Sequence, residues 1–226
     1  MHVYNFNSPT PISTYTGFNS DVTWVKFSYD ENKVFAGTFG GTLFVYNFDR
    51  NKIVNTLRGH LTHVRWVVDQ KDDISNYIVS GASDTNIKVW DLRQKGAIAT
   101  YKGHDKAISS VDISPDTQMV ASGWTGGIVK IWDLASGKWT FSFNVKNQSQ
   151  SETCFIKDIK FNPADCWMAV AWSDKIIRYY DTSTFELINE SLADVHPISN
   201  IEFDSDGEVV ITAYSDTIKT WNLEEK

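Results

Sequence analysis

Apolar and polar positions alternate along short segments throughout the chain, and no segment keeps a helical apolar period for ten residues. The stretch Ile108–Ser114 alternates in this way, and the polar turn Pro115–Gln118 follows it. A strand of small residues, Met119–Gly123, comes next, and Gly137–Phe143 closes the unit after an aromatic strand. Short and evenly punctuated strands of this kind predict an all-β chain built from four-stranded units.

The same unit recurs along the chain. The segment Ile87–Leu92 (IKVWDL) has copies at Val129–Leu134, Ile177–Thr182, Ile218–Leu223, Phe44–Phe48 and His2–Phe6. Each copy carries one anchoring aromatic, and these are Tyr4, Tyr46, Trp90, Trp132, Tyr180 and Trp221. Successive anchors lie 41 to 48 residues apart, which is the period of the blades of a β-propeller.

The unit around Trp90 carries polar residues at spacings that predict a buried hydrogen-bond relay. His60, Ser80, Asp84 and Trp90 fall where WD repeats place such a relay. In it the carboxylate accepts from the histidine, the histidine bonds the serine, and the serine reaches the indole N–H. The alternative is that His60 and Asp84 form a catalytic pair. We favour a structural role, because the relay occupies a position that is repeated along the chain.

Other units keep only parts of this relay. The unit after it has His104, Ser122 and Trp132 but carries Gly126 where the aspartate belongs. The first full unit departs from it at Ala36, Gly40 and Tyr46. The fourth unit keeps the aspartate, Asp174, but has Val170 at the serine position and Tyr180 as its aromatic. We expect these blades to be held by apolar packing alone and to be softer.

The chain resembles WD-repeat proteins over its whole length, and one stretch has a narrower resemblance. Ser80–His104 is similar to a blade of the non-catalytic WD-repeat regulatory subunit of katanin, the microtubule-severing ATPase; Asp84–Lys88 and Arg93–Gly96 carry most of the likeness. The last unit, short between Asp216 and Trp221, is similar to that subunit as well. The resemblance implies a targeting subunit in the cytoplasm and cytoskeleton, at a centrosome, spindle pole or basal body. It also implies an AAA ATPase and microtubules as partners, although that family binds them mainly through a helical C-terminal domain that these residues do not include.

The repeat predicts one WD-repeat β-propeller domain over residues 1–226, with five complete or nearly complete blades and a partial N-terminal blade. The boundaries fall at 1–16, 17–57, 58–101, 102–143, 144–190 and 191–226. The last unit lacks an outer strand, and Pro11–Thr16 could supply it and close a five-blade ring. The interpretation favoured from the sequence is instead a fragment of a larger ring, with open strand edges that promote self-association.

Three large aromatics are candidates for a partner-binding surface. Trp124, Trp172 and Tyr214 align with Ala82, at a position where WD repeats usually have a small residue. A partly exposed arc of these rings would anchor a partner. The alternative is that the rings fill space left by the missing relay members and by the turn at Gly126.

Two further segments have functional alternatives. Val145–Glu152 is a polar insertion that accounts for the longest repeat spacing, and a tolerated loop is its favoured interpretation. Trp90–Arg93 (WDLR) is similar to the signature of substrate receptors for cullin–RING ubiquitin ligases, in which the arginine reaches an adaptor. Four residues also fit an ordinary blade turn, so Arg93 is a candidate binding residue only.

Composition narrows the remaining functions. A formal net charge of -7 disfavours nucleic acid and anionic membranes as partners. Only two cysteines, Cys154 and Cys166, indicate a reduced intracellular compartment, and no apolar run is long enough to span a bilayer. The five histidines, His196 among them, lack metal-ligand spacing, and no phosphate loop or nucleophile elbow is present. We therefore expect no enzyme, cofactor, metal or small-molecule substrate, and three possibilities remain: a katanin-complex scaffold, a ubiquitin-ligase substrate receptor, or another WD-repeat scaffold.

Overall fold

The computed structural model describes residues 1–4, 7, 9–69, 76–144, 155–192, 197–214 and 216–222. The polar segment Val145–Glu152, Cys154 and His196 lie outside the described residues. Within the described ranges every helix or strand is a β-strand, so the all-β prediction is confirmed.

The strands of the described ranges form a short N-terminal pair followed by five sheets. The pair is β1 (His2–Tyr4) and β2 (Pro11–Thr14). The first two sheets comprise β3 (Val22–Phe27), β4 (Lys33–Thr38), β5 (Thr42–Asn47), β6 (Lys52–Arg58), β7 (Val64–Asp69), β8 (Tyr77–Ala82), β9 (Ile87–Asp91) and β10 (Ala97–Tyr101). The next two comprise β11 (Ile108–Ile113), β12 (Met119–Trp124), β13 (Ile128–Asp133), β14 (Trp139–Asn144), β15 (Ile156–Phe161), β16 (Trp167–Trp172), β17 (Ile176–Asp181) and β18 (Leu187–Leu192). In the described residues the fifth sheet has three strands, β19 (Asn200–Phe203), β20 (Val209–Ala213) and β21 (Ile218–Asn222).

Each sheet is an antiparallel meander that runs from an inner strand to an outer one. The inner strands β3, β7, β11, β15 and β19 pack in that order beside one another, which arranges the sheets as blades 1 to 5 around a central channel. This is the five-blade β-propeller arrangement that the repeat spacing predicts. We call the face that carries the β4–β5 turn and its equivalents the upper face.

Small residues in the second strand of each blade allow neighbouring blades to pack closely. A Cβ atom added to Gly81 would lie 2.6 Å from the Val111 side chain of the next blade. At Gly37 and Gly123 it would lie 2.9 Å from Val64 and 2.6 Å from Ile156. Since real Cβ contacts are longer than this, the glycines set the distance between blades, and the apolar core lies in the interfaces between them.

Carboxylates on the inner strands tie neighbouring blades together around the channel. Asp158 Oδ1 accepts a hydrogen bond from Ser110 Oγ of blade 3 at 2.7 Å, and Oδ2 accepts one from the Ile201 N–H of blade 5 at 3.0 Å. Asp112 Oδ2 accepts from the Phe161 N–H at 2.8 Å. The free edge of an inner strand presents backbone donors that its own blade does not pair, so these buried carboxylates satisfy donors that would otherwise destabilise the ring.

The N-terminal pair packs on blade 1. The Tyr15 ring stacks on Tyr46 with 3.3 Å between centroids, and both rings are buried beside Val34. Strand β2 pairs with β1 and not with β21, so Pro11–Thr14 does not close the ring as the outer strand of blade 5. That closure hypothesis is wrong for the described residues, in which β2 pairs with β1 and Tyr15, next to β2, stacks on Tyr46 of blade 1.

Candidate partner-binding surface

The structure brings the four relay residues of blade 2 into one hydrogen-bonded chain. The Asp84 carboxylate lies 3.0 Å from His60 Nδ1, and His60 Nε2 lies 2.8 Å from Ser80 Oγ. Trp90 Nε1 donates to the same hydroxyl at 2.8 Å. Asp84 also accepts from the Leu61 N–H, which fixes the loop before β7. Burial raises the pKa of Asp84, but the hydrogen bonds outweigh it and hold that pKa below its ordinary value.

Blade 3 retains three members of the relay. His104 Nε2 lies 2.7 Å from Ser122 Oγ, which accepts from Trp132 Nε1 at 2.7 Å. His104 Nδ1 is buried without a hydrogen-bond partner among the described residues, because Gly126 stands where blade 2 has Asp84. Burial lowers the pKa of His104 to about 3, with Lys130 adding to the effect. The imidazole is therefore neutral at physiological pH.

Blades 4 and 5 replace the relay with other polar contacts. Arg178 is buried against the Trp172 ring, with Nη2 donating to Asp174 Oδ2 at 3.0 Å. In blade 5, Trp221 Nε1 donates to Thr212 Oγ1 at 2.9 Å, and that hydroxyl donates to the Tyr214 OH. The expectation that the degraded blades 3 and 4 rely on apolar packing alone is wrong, since polar side chains remain hydrogen-bonded in the relay space.

The three aromatic rings proposed as a partner-binding arc do not form an exposed surface. Trp124, Trp172 and Tyr214 are 7, 0 and 6% exposed, so the expectation of a partly exposed arc is wrong. A Cβ on Gly126 would lie 2.9 Å from the Trp124 ring, which shows that this indole occupies the space an aspartate side chain would need. The Trp124 ring fills the volume of the missing aspartate, as the alternative interpretation had it.

Arg93 lies on the lower face and binds its own turn. Its Nε and Nη2 donate to Asp91 Oδ1 and Oδ2 at 2.9 and 2.8 Å, and Nη2 also contacts the Tyr77 OH. These hydrogen bonds lower the pKa of Asp91 to about 2. The Arg93 side chain is nevertheless 60% exposed, so its outer edge remains accessible.

An aromatic groove of about 430 Å³ opens on the upper face above blades 1 to 3. Its lining residues are Thr23, Trp24, Phe39, His63, Arg65, Trp66 and Ser109. The Trp24 and Trp66 rings lie 5.9 Å apart, and the Phe39 and His63 rings 3.7 Å apart. We call this set the upper groove. The groove combines an exposed aromatic ring, Phe39, with an exposed charged side chain, Arg65, as partner-binding sites do.

Comparison with known protein families identifies the repeat. The family model described as "WD domain, G-beta repeat" matches residues 9–47, 51–91 and 96–133, more than half of the chain. The chain belongs to the WD40-repeat family.

WD40 relatives from several organisms are similar to this chain. "Small ribosomal subunit protein RACK1y" of Oryza sativa subsp. japonica is 25% identical, over 73% of this chain and 49% of the relative. "Small ribosomal subunit protein RACK1" of Neurospora crassa is 27% identical, over 76% and 55%. "Autophagy-related protein 16" of Arabidopsis thaliana is 25% identical, over 83% and 35%. The chain thus spans about half or less of each relative.

The upper groove of this WD40 chain depends on β-bulges at one position of the inner strands. Thr23, Arg65 and Ser109 are each the extra residue of a bulge near the start of an inner strand. A bulge residue leaves the regular ladder and can point its side chain away from the sheet. The bulges of three successive WD40 blades thus meet in one groove, which the repeat pattern alone does not reveal.

Other kinds of site have little support in the described residues. They contain no group of three or more His, Cys, Asp or Glu side chains arranged to hold a metal ion. No helix within the same ranges has the length and apolar character to cross a membrane.

Proposed function

We propose that this chain is a non-enzymatic protein-interaction scaffold, and that the upper groove is one of its docking surfaces. The observation that carries the proposal is the aromatic and cationic lining of that groove, in which Phe39 and Arg65 are exposed. Two similar proteins are named as small ribosomal subunit proteins, so relatives of this chain take part in large assemblies.

We further propose a specific assembly, the katanin microtubule-severing complex, in which the chain is a targeting and regulatory subunit. The support is the resemblance of Ser80–His104 to a blade of the WD-repeat katanin subunit. The partners are then a microtubule-severing AAA ATPase subunit and microtubules. The location is the cytoplasm and cytoskeleton, at a centrosome, spindle pole or basal body.

Affinity purification of the tagged chain from its own cells, followed by mass spectrometry, tests this assignment. A severing ATPase and tubulin should be enriched over a tagged unrelated propeller. Purified chain should also co-sediment with microtubules when the ATPase is added. Recovery of other proteins without the ATPase or tubulin would reject the katanin role but keep the scaffold role, and recovery of nothing would reject both.

A second candidate is a substrate receptor of a cullin–RING ubiquitin ligase. The observation in its favour is the exposed outer edge of Arg93 in the Trp90–Arg93 segment. The bidentate contact of Arg93 with Asp91 competes with binding to an adaptor. Enrichment of a cullin adaptor by the unmodified chain, lost in Arg93→Ala but kept in the neighbouring Lys95→Ala, would establish this function in place of the katanin role.

A further inference from the structure

We propose that the upper groove binds a short acidic protein segment that carries a large apolar side chain. This inference rests on the scaffold role proposed above, but not on membership of the katanin complex. It follows from three properties of the groove: its aromatic walls, its charge, and its contrast with the opposite mouth of the channel.

The aromatic walls form a receptacle for an apolar side chain. Phe39 is 57% exposed at the rim, although it lies in a tight turn where a polar residue would be better solvated. Trp24 and Trp66 are partly buried and form the floor beside it. A volume of about 430 Å³ lies in the range of pockets that take a few residues or a small molecule. One aromatic or aliphatic anchor with its flanking backbone fits this space.

The charge of the groove selects the flanking residues of the partner. Arg65 is exposed, and its Nε donates to Ser83 Oγ at 2.9 Å, but it forms no ion pair with any residue that the structure describes. None of the seven lining residues is acidic. An arginine fork beside aromatic rings matches carboxylates that flank an apolar anchor.

The opposite mouth of the channel has the reverse character. The groove there, of about 500 Å³, contains Asp69, Glu202 and Asp204 among its lining residues, with Lys26 as the cation. An acidic segment is therefore attracted to the unpaired Arg65 of the upper groove, whereas at the lower mouth Lys26 and Lys160 are already paired with Asp69 and Glu202. With a net charge of -7 for the chain and one arginine in the groove, a protein segment is favoured over a nucleic acid.

Fluorescence anisotropy with synthetic peptides tests the proposal. The probes are fluorescein-labelled Gly-Ser-Glu-Glu-Phe-Glu-Ser-Gly and the same peptide with each Glu replaced by Lys. The acidic peptide should bind at least about tenfold more tightly than the basic one, and binding should weaken as salt is raised. Equal binding of the two peptides, or no binding of the acidic peptide at about 1 mM protein, would overturn the proposal.

Three variants locate the binding site. Arg65→Glu should abolish binding of the acidic peptide, and Phe39→Ser should weaken that binding about tenfold or more. The control is Lys102→Glu, an exposed charge change on the same face, which should alter the affinity less than about twofold. Because all three side chains are exposed, each variant should fold like the unmodified protein, and thermal unfolding checks this. Unchanged affinity in Arg65→Glu, or tight binding of a fluorescein-labelled oligouridylate in place of the peptide, would contradict the inference.

The same variants separate this inference from the scaffold role. If the unmodified chain captures proteins from its cells and Arg65→Glu loses a subset of them, both are supported. If Arg65→Glu captures the same set as the unmodified chain, the groove is not the docking site although the scaffold role stands. If the unmodified chain captures nothing, the scaffold role fails whatever the peptides do.

Discussion

The indole of Trp124 lies over Gly126, in the space that the equivalent of Asp84 would occupy, and a Cβ on that glycine would lie 2.9 Å from the ring. Trp124→Ala should therefore lower the free energy of unfolding by about 3–5 kcal/mol through the cavity it leaves. Gly126→Asp alone should also destabilise, because its side chain meets the ring. In the double variant the introduced carboxylate can accept a hydrogen bond from His104 Nδ1, which should recover about 1–2 kcal/mol relative to Trp124→Ala.

Urea unfolding of the four proteins forms a double-mutant cycle for this pair. The two single substitutions should be strongly non-additive. Additive losses would show that the ring and the missing carboxylate do not compete for the same space.

The serine hydroxyl at the centre of the blade 2 relay should contribute strongly to stability. Ser80→Ala leaves both Trp90 Nε1 and His60 Nε2 buried without this partner, so we expect a loss of about 2–3 kcal/mol. The control is Ser199→Ala, which removes an exposed hydroxyl bond to the Ala213 carbonyl and should cost less than about 1 kcal/mol. Thermal and urea unfolding measure both, and equal losses would reject the central role of Ser80.

His104 should make the protein less stable in mild acid. Its folded-state pKa of about 3 lies below the ordinary value of 6.5, so the unfolded chain takes up a proton first as the pH falls. The stability that the neutral imidazole contributes is complete above pH 6.5 and is lost progressively toward pH 3. Between pH 7 and pH 5 the advantage of the unmodified protein over His104→Gln should shrink by about 2 kcal/mol. Urea unfolding measures this, and an equal difference in unfolding free energy between the two proteins at pH 7 and pH 5 would show that the pKa of His104 is not lowered.

Asp158 should make the protein more stable in mild acid, which is the opposite of the effect of His104. Burial raises its pKa to about 6 despite the nearby Lys160 and the Ile201 hydrogen bond, so the folded state binds a proton that the unfolded state does not. Its contribution to stability is present at low pH and is lost as the pH rises through about 6. The unmodified protein should gain about 1 kcal/mol relative to Asp158→Asn between pH 7 and pH 5. Urea unfolding at the two pH values measures this, and an unchanged difference would mean that Asp158 is ionised in the folded state throughout this pH range.

The sequence predicts the fold and the blade 2 relay because both depend on residue types at a fixed repeat spacing. It does not predict whether Trp124 is exposed, since alignment assigns a position on a strand but not the volume available beside it. Burial there depends on Gly126 and on His104, which lies 20 residues earlier in the chain.

The upper groove could not be predicted from the sequence, for a different reason. Trp24 and Trp66 do recur at the same place in successive units, which is a usable signal, but Arg65 and Ser109 join them only when three inner strands pack together. The inter-blade role of Asp158 likewise requires neighbours from two other blades. Properties that arise between units are not visible in the pattern of a single unit.

Two side chains at the bulges of inner strands can change without disturbing the ring. Arg65 and Lys157 stand outside the regular ladder, so replacing either of them leaves the pairing of its blade intact. Thr23 at the equivalent position differs, because its hydroxyl donates to the Val64 carbonyl of blade 2. Substitutions at the Arg65 and Lys157 positions can therefore change which ligands the surface prefers, one residue at a time, while the core between the blades stays the same.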